Sequence, residues 1–340
     1  MISISIIIPV YNGATYIERC LNSIIHSGLR NDEYEIIIVD DCSTDDTVRV
    51  IKSWQNKLAN LVLLRHEENR RQGAARNSGL TVARGEFVYF ADIDDTLGPK
   101  FKEAVDFSTS TTKEVDIICG EVSIQNGPGG PFVQQSTNIP SRSIMDSIQF
   151  CETVYGAIYL PGAPWLYLFR REFLQTHKLF FMENVLFEDT DWVEKTLFTA
   201  RKIAYLQIPI YYYHINSGST CNIFEAKVES FKILLCKRRL VFAEAVEHTH
   251  TNFSSMIKER SMTWIDDIVS LRHLSRFSPR HIFQIKKYVG RNALNYLGGY
   301  SSTWFQSFFF SQTWLCCIFI CLCYPCTLMG RYFVRLIRSI

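Results

Sequence analysis

The 340-residue sequence predicts an α/β fold, a doubly wound and mainly parallel sheet with a helical C-terminal extension. Three observations predict it. Short, continuous apolar runs punctuate the first hundred residues, as strands buried on both faces require. Stretches with apolar residues at helical spacing separate them. From about Phe224 to Leu297 the pattern is helical and amphipathic, with basic Lys237, Arg238 and Arg239.

The elements follow in order. Ile4–Ile8 is a buried strand ended by Pro9. Ala14, Ile17, Leu21 and Ile25 form a helical stripe, and Gly28 supplies a left-handed stop. Ile36–Val39 is a second strand. Ser43 and Asp46 have the spacing of a capping box, opening a helix with the stripe Val48, Ile51, Trp54 and Leu58. Leu61–Leu64 is a third strand, Gln72–Arg84 a helix closed by Gly85, and Phe87–Ala91 a fourth strand. Four strands separated by helices make a parallel sheet. Beyond Asp95 the regularity weakens. Gly127-Pro128-Gly129-Gly130-Pro131 is a loop, and Ser141 to Ser219 mixes short apolar pieces with aromatics in the same domain. There is no internal repeat. The expected organisation is a catalytic domain over 1–220, a helical extension over 221–300 and an apolar, aromatic tail over 301–340.

A formal net charge of +2 predicts no strong attraction to nucleic acid. The first residues show no basic n-region, long apolar h-region or small-residue cleavage site, so no secretory signal is expected and the catalytic portion is placed in the cytoplasm. Five of the eleven cysteines (Cys316, Cys317, Cys321, Cys323, Cys326) crowd one apolar stretch without His, Asp or Glu, and read as buried or lipid-facing thiols rather than zinc ligands. The tail has no charged residue from Asn292 to Gly330, carries Trp304, Phe305, Phe308, Phe309, Phe310 and Trp314, and regains Arg331, Arg335 and Arg338. Its clean apolar run, Trp314–Met329, is shorter than the ~20 residues a span needs and contains Pro325. A single span would also put the basic end outside, against the positive-inside tendency. The expectation is therefore a peripheral or monotopic attachment at the inner face of the cell membrane. A helix packed on the enzyme's own core is the alternative.

Ligands of an open parallel sheet bind beyond the carboxyl ends of its strands. Three of the strands end in polar clusters: Pro9-Val10-Tyr11-Asn12-Gly13, Asp40-Asp41-Cys42-Ser43 and Asp92-Ile93-Asp94-Asp95. Converging on one edge, they would crowd carboxylates and an aromatic ring around one crevice. Such like charge is unfavourable without a cation. A divalent metal carrying a diphosphate resolves this, since Mg²⁺ takes one or two carboxylates plus phosphate oxygens. Arg70, Arg71 and Arg76 add positive charge for the same phosphates. Residue chemistry alone reaches a nucleotide or phosphate site with a metal.

The stretches Ser5–Asn12, Ile38–Asp45, Gly73–Gly79, Asp92–Asp95 and Phe187–Trp192, in this order and spacing, resemble the family 2 glycosyltransferases of GT-A fold. The resemblance spans residues 3 to about 215. It implies an inverting transfer of a sugar from a nucleotide-diphosphate donor to an acceptor hydroxyl, dependent on Mg²⁺ or Mn²⁺. By the same resemblance Pro9, Tyr11 and Asn12 belong to the nucleotide site. Tyr11 stacks on the base, and Asp41, or Asp40 beside it, bonds the base edge. Asp92, Asp94 and Asp95 match the DxD region that binds ribose and the metal–diphosphate, with Asp94 the first choice for metal contact and Asp95 next. Asp189 matches the general base, with Glu188 its neighbour. His214 occupies a place where a residue touches phosphate or metal. Together with the tail, the resemblance points to a glycan or lipid-linked glycan acceptor in cell-surface polysaccharide assembly.

Each assignment has a plainer rival. Asp40 and Asp41 also suit helix capping. Glu188-Asp189 also suits a solvated surface pair, Tyr11 ordinary packing, and His214 a partly buried, hydrogen-bonded histidine. The Trp165 region either lines an acceptor site or fills the core beneath it. Two other functions compete: a non-catalytic nucleotide-sugar binding subunit of a membrane assembly, and a phosphatase, since Asp92-Ile93-Asp94-Asp95-Thr96 resembles the DxDxT motif of haloacid-dehalogenase phosphatases. That motif should close the first strand of its domain, and here it closes the fourth.

Overall fold

The computed structural model describes residues 2–111, 113–155, 157–158, 161–215, 226–247 and 254–261. The chain divides into two units, Met1–Gly218 and Ser219–Ile340.

The first unit is built on β1 (Ile4–Val10), α1 (Ile17–Ile25), β2 (Tyr34–Asp40), α2 (Thr47–Gln55), β3 (Leu61–Arg65), α3 (Arg71–Val82) and β4 (Phe87–Phe90). β1 and β2 are buried along their whole length, their apolar residues interrupted by Ser5, Glu35 and Asp40. Strand order runs β3-β2-β1-β4, all parallel. β1 therefore has β2 on one side and β4 on the other, and the chain reverses its direction of winding between β1 and β4. Ligands of such sheets bind outside the strand ends at that point. Ile17, Leu21 and Ile24 of α1 are fully buried, each contributing about 1.5–3 kcal/mol of apolar transfer energy. Gly28 (φ +86°) follows the helix in the left-handed conformation expected of it.

Three local expectations are corrected. Pro9 does not end β1: the strand continues to Val10, pairing Pro9 with Val39. The β4 ladder already stops at Ile7–Phe90, so on that side the missing proline N–H deprives no rung. The Ser43–Asp46 capping box is not formed. Asp46 makes no side-chain cap, Asp45 Oδ1 accepts the Thr47 N–H at 3.0 Å, and Ser43 Oγ accepts the Asn12 N–H at 2.9 Å. Gly85 does not close α3, which ends at Val82 with Ala83 as its C-cap; a Cβ on Gly85 would lie 2.5 Å from the Ser5 nitrogen, so its smallness lets the α3–β4 turn press against β1.

The rest of the unit completes the sheet with β5 (Thr96–Leu97), α4 (Phe101–Ser110), β6 (Val115–Gln125), β7 (Phe132–Gln135), β8 (Ser143–Asp146), α5 (Ser147–Phe150), β9 (Tyr167–Arg170), α6 (Arg171–Thr176), α7 (Glu188–Thr199) and β10 (Lys202–Tyr213). The path continues β4-β9-β6-β10-β5, with β9 antiparallel to both neighbours and β10 parallel to β6. The expected loop at Gly127–Pro131 joins β6 to β7, with Gly127 and Gly129 at φ +76° and +73°.

In the second unit, α8 (Ala226–Val246) is followed by a helical segment at 254–261, fastened by Ser254 Oγ to the Ala243 carbonyl at 2.7 Å. No helix among the described residues is long and apolar enough to cross a membrane. The 301–340 tail and most of the 221–300 extension lie outside the described residues.

Candidate active site

The parallel pairing brings the tips of β1, β2 and β4 to one edge, and hydrogen bonds knit them. Tyr11 is half exposed (52 %) at the end of β1, and Asn12 follows in a left-handed turn (φ 51°). Asn12 Oδ1 accepts the Thr44 N–H at 2.8 Å, and the Gly13 N–H donates to Thr47 Oγ1 at 2.9 Å. A Cβ on Gly13 would lie 3.3 Å from Ile93, so the same turn packs against the Asp92–Asp95 segment.

The two β2 aspartates differ. Asp40 is fully buried. Its Oδ1 accepts the Ser43 N–H at 3.2 Å, while Arg65 Nε sits 3.2 Å from Oδ2 but off the hydrogen-bonding direction. Asp41 Oδ1 accepts from His66 Nδ1 at 2.7 Å and from the Arg70 N–H at 2.9 Å, and Oδ2 accepts the Arg71 N–H at 2.6 Å. Asp41 thereby anchors the start of α3, where Arg71 holds φ 68°. A non-glycine residue in that region marks a strained, over-determined turn. Arg70 pairs with Glu183.

Past β4, Asp95 is 2 % exposed. Its Oδ2 accepts from the Tyr211 hydroxyl at 2.8 Å and its Oδ1 from the His214 backbone N–H at 2.7 Å. His214 thus reaches the acidic turn through its backbone, and its ring bonds Thr96 Oγ1 at 3.1 Å and stands edge-on to Phe132. Arg19 of α1 donates to the Asp94 carbonyl. Trp165 is buried and stacked on Tyr211 at 4.5 Å, which makes it the floor under Asp95.

Arg76 joins this turn to α7. It is 2 % exposed, with Nη1 at 2.6 Å from Glu188 Oε1 and Nη2 at 3.0 Å from Asp92 Oδ1. Close approach of α3 to the 182–188 segment requires Gly73, whose Cβ would fall 2.1 Å from the Met182 carbonyl oxygen. Asn77 holds the same segment through the Phe181 backbone. Phe187 enters α7 in the left-handed conformation (φ 59°), and Glu188, Asp189 and Asp191 occupy its first turn, where the helix dipole favours negative charge. The Asp189 carboxylate accepts the Thr190 N–H at 2.8 Å.

Electrostatically the cluster is under tension. Desolvation raises Asp92, opposed by Arg76 and aided by Asp94. Asp95 is raised well above the usual carboxylate range by burial and by Asp94. Glu188 is pushed up to about 7 by burial, against the pull of Arg76, and Asp189 is raised for the same reason. His214 falls to about 4 through burial and the Arg19 charge, which leaves its ring neutral. Hard carboxylate oxygens raised by burial first and mutual repulsion second, beside a neutral imidazole, are a donor set that a divalent cation fits. Among the described residues no three His, Cys, Asp or Glu side chains are already gathered as a metal cage, so a cation here would complete its shell with phosphate or water oxygens.

The structure therefore brings Tyr11, Asn12, Asp40, Asp41, Asp92, Asp94, Asp95, Arg71, Arg76, Glu188, Asp189 and His214 to connected segments of one sheet edge. Sequence reasoning missed His66, Ser78, Arg19 and Tyr211. A signal for His66 existed, because it directly follows β3, the fourth parallel strand whose tip lies on this edge.

A family model described as Glycosyl transferase family 2 matches residues 5–175. The chain is 30 % identical over 233 residues to a poly(ribitol-phosphate) beta-glucosyltransferase of Bacillus spizizenii. It is 32 % identical over 216 residues to the poly(ribitol-phosphate) beta-N-acetylglucosaminyltransferase TarS of Staphylococcus aureus. These alignments cover 67 % and 63 % of the chain but 35 % of each relative, so the chain spans about a third of their length. The crystal structure of S. aureus TarS 1–349 with UDP-GlcNAc superposes with a TM-score of 0.61 at 23 % identity, over 87 % of this chain and 84 % of that one. A mannosyltransferase of Pyrobaculum calidifontis with GDP-Man and Mn²⁺ gives 0.51 at 16 % identity, over 88 % and 76 %. These superpositions share the GT-A fold.

Proposed function

The chain belongs to glycosyl transferase family 2, and from that membership we propose that this glycosyltransferase inverts the anomeric carbon of a nucleotide-diphosphate sugar in a single displacement. The observation that carries the proposal is Arg76, whose guanidinium holds the acidic turn after β4 and the acidic start of α7 against each other.

Tyr11, exposed at the switch point, offers its ring to the nucleotide base, and Asp41 meets the base edge. Asp92 and Asp94 take the ribose and diphosphate side. Arg76 is spent on two carboxylates, so its part is to place Asp189 opposite the leaving group. Raised above the ordinary range, Asp189 is a stronger proton acceptor than a solvated aspartate. Its carboxylate takes the proton of the acceptor hydroxyl as the oxygen bonds the anomeric carbon. The bond from that carbon to the diphosphate breaks, and the electron pair leaves with the diphosphate. Asp94, with Asp95 and His214 beside it, would hold a divalent cation, which when bound would supply charge neutralisation for that leaving group.

The relatives' names support an acceptor of the polyol-phosphate or glycan-polymer class in cell-surface polysaccharide assembly, and the aromatic, arginine-ended 301–340 sequence supports a lipid-linked acceptor reached from the cytoplasmic membrane face. The domain arrangement 1–220, 221–300 and 301–340 is part of this proposal. The test is nucleoside diphosphate release from a panel of nucleotide sugars, with and without Mn²⁺, in the presence of acceptor, together with the anomeric configuration of the product. Retention, or release without transfer, would overturn the mechanism. Loss of membrane partitioning on deletion of 301–340 supports the attachment; unchanged partitioning counts against it.

A further inference from the structure

We propose that Asp41, His66 and Ser78 form a positioning relay, in which His66, braced by Ser78, fixes the Asp41 carboxylate for the nucleotide base; this role rests on the glycosyltransferase reading above. His66 Nδ1 lies 2.7 Å from Asp41 Oδ1, and its Nε2 lies 2.9 Å from Ser78 Oγ. The His66 side chain is 9 % exposed and that of Asp41 4 %. With Nδ1–H donating to Asp41, Nε2 is left to accept the Ser78 hydroxyl. The two main-chain donors from Arg70 and Arg71 complete the clamp. Three donors on about four lone-pair sites leave one acceptor direction on Oδ2, the one available to an N–H of a base.

The three residues come from three elements: the β2 tip, the β3 tip and α3. The same helix carries Arg76 to Glu188 and Asp92, so the relay sets the base-reading carboxylate in register with the reacting end of the donor. A Ser–His–Asp chain is also the layout of a nucleophilic triad. Here Ser78 lies inside α3, where the backbone N–H groups are committed to the helix and give no oxyanion donors. His66 and Ser78 are thus positioning residues.

The full chain is titrated calorimetrically with UDP, dTDP, GDP, ADP and CDP in Mn²⁺ buffer, and donor kinetics are measured with the nucleotide sugar it accepts. Ser78→Ala, which removes one oxygen from a helix, should weaken nucleotide binding about threefold, and His66→Leu about tenfold, with kcat at saturating donor held. His66→Asn, which keeps an N–H near the Nδ1 position, should restore most of the affinity. Nitrogen-15 NMR of the wild type should show the His66 proton on Nδ1. Equal affinity in wild type, Ser78→Ala and His66→Leu would overturn the relay alone, as would a bare Nδ1 or labelling of Ser78 by an organophosphonate. A wild-type chain that binds none of the five nucleotides would overturn the donor-site reading and the relay with it.

Discussion

Arg76 and Glu188, 112 residues apart in the chain, meet at 2.6 Å in the interior, and the same guanidinium reaches Asp92 at 3.0 Å. Such burial is expensive for both charges, and a hydrophobic replacement could make a tighter core. What the pair provides is position: it clamps the first turn of α7 to the turn after β4.

Breaking that clamp should be costly. Arg76→Met leaves two buried carboxylates without their cation, and the expected loss is about 3–5 kcal/mol in urea unfolding at neutral pH. Arg76→Lys should recover little, since one ammonium cannot serve both partners in the planar, forked geometry. Unfolding midpoints equal to wild type in both variants would show that the contact contributes nothing.

Asp189→Asn removes the proton acceptor and keeps the shape. Transfer should fall by at least about 100-fold in kcat, while calorimetric donor affinity stays near the wild-type value. Full activity in this variant would move the base elsewhere in the α7 turn, with Glu188 the first candidate.

Glu188 makes a prediction about pH. Its folded value, about 7, lies above the ordinary 4.5, so between these limits the folded state holds a proton that the unfolded chain has released. Stability should therefore fall as pH rises through that window, by up to about 1.4 kcal/mol per pH unit for one proton. Metal-free wild type and Glu188→Gln, unfolded in urea across the window, should differ by this slope. Parallel stability curves would place the Glu188 proton outside the linkage.

The N-terminal half of the sheet was legible because strands buried on both faces write continuous apolar runs, as Ile6–Val10 and Ile36–Val39 do. The remainder was not. β9 enters antiparallel between β4 and β6, a placement set by partners far away in sequence, and β10 slips register around Pro209. Within the site, Asp41 and Asp92 stand out as acidic residues at strand ends, whereas Asp189 is reached through the resemblance to the glycosyltransferases, its local sequence reading as a solvated surface pair. Arg76 was read as a phosphate cation because sequence gives its charge and not its burial. Arg19, on the exposed face of α1, looks like any solvated residue until the fold lays it on the Asp94 carbonyl.

Tyr11 separates stacking from packing. At 52 % exposure it contributes little to the core, so Tyr11→Ala should leave the unfolding midpoint nearly unchanged. Losing an aromatic platform for a base costs about 1–3 kcal/mol, a rise of roughly 5- to 150-fold in donor Kd. Tyr11→Phe should bind like wild type. A destabilised Tyr11→Ala protein with unaltered donor affinity would return this ring to ordinary packing.

Cation binding should depend on the nucleotide. Asp95 already accepts two protein hydrogen bonds and Asp92 one from Arg76, so the polypeptide alone offers few open oxygens to a divalent ion. A diphosphate would complete the octahedral shell that Mg²⁺ or Mn²⁺ demands. In thermal-shift measurements Mn²⁺ alone should move the midpoint little, a nucleoside diphosphate alone modestly, and the two together by more than the sum of the separate shifts, because each then binds the folded state more tightly in the presence of the other. Asp94→Asn should abolish the excess while leaving the nucleotide-only shift in place. Strictly additive shifts would mean that metal and diphosphate do not share this turn.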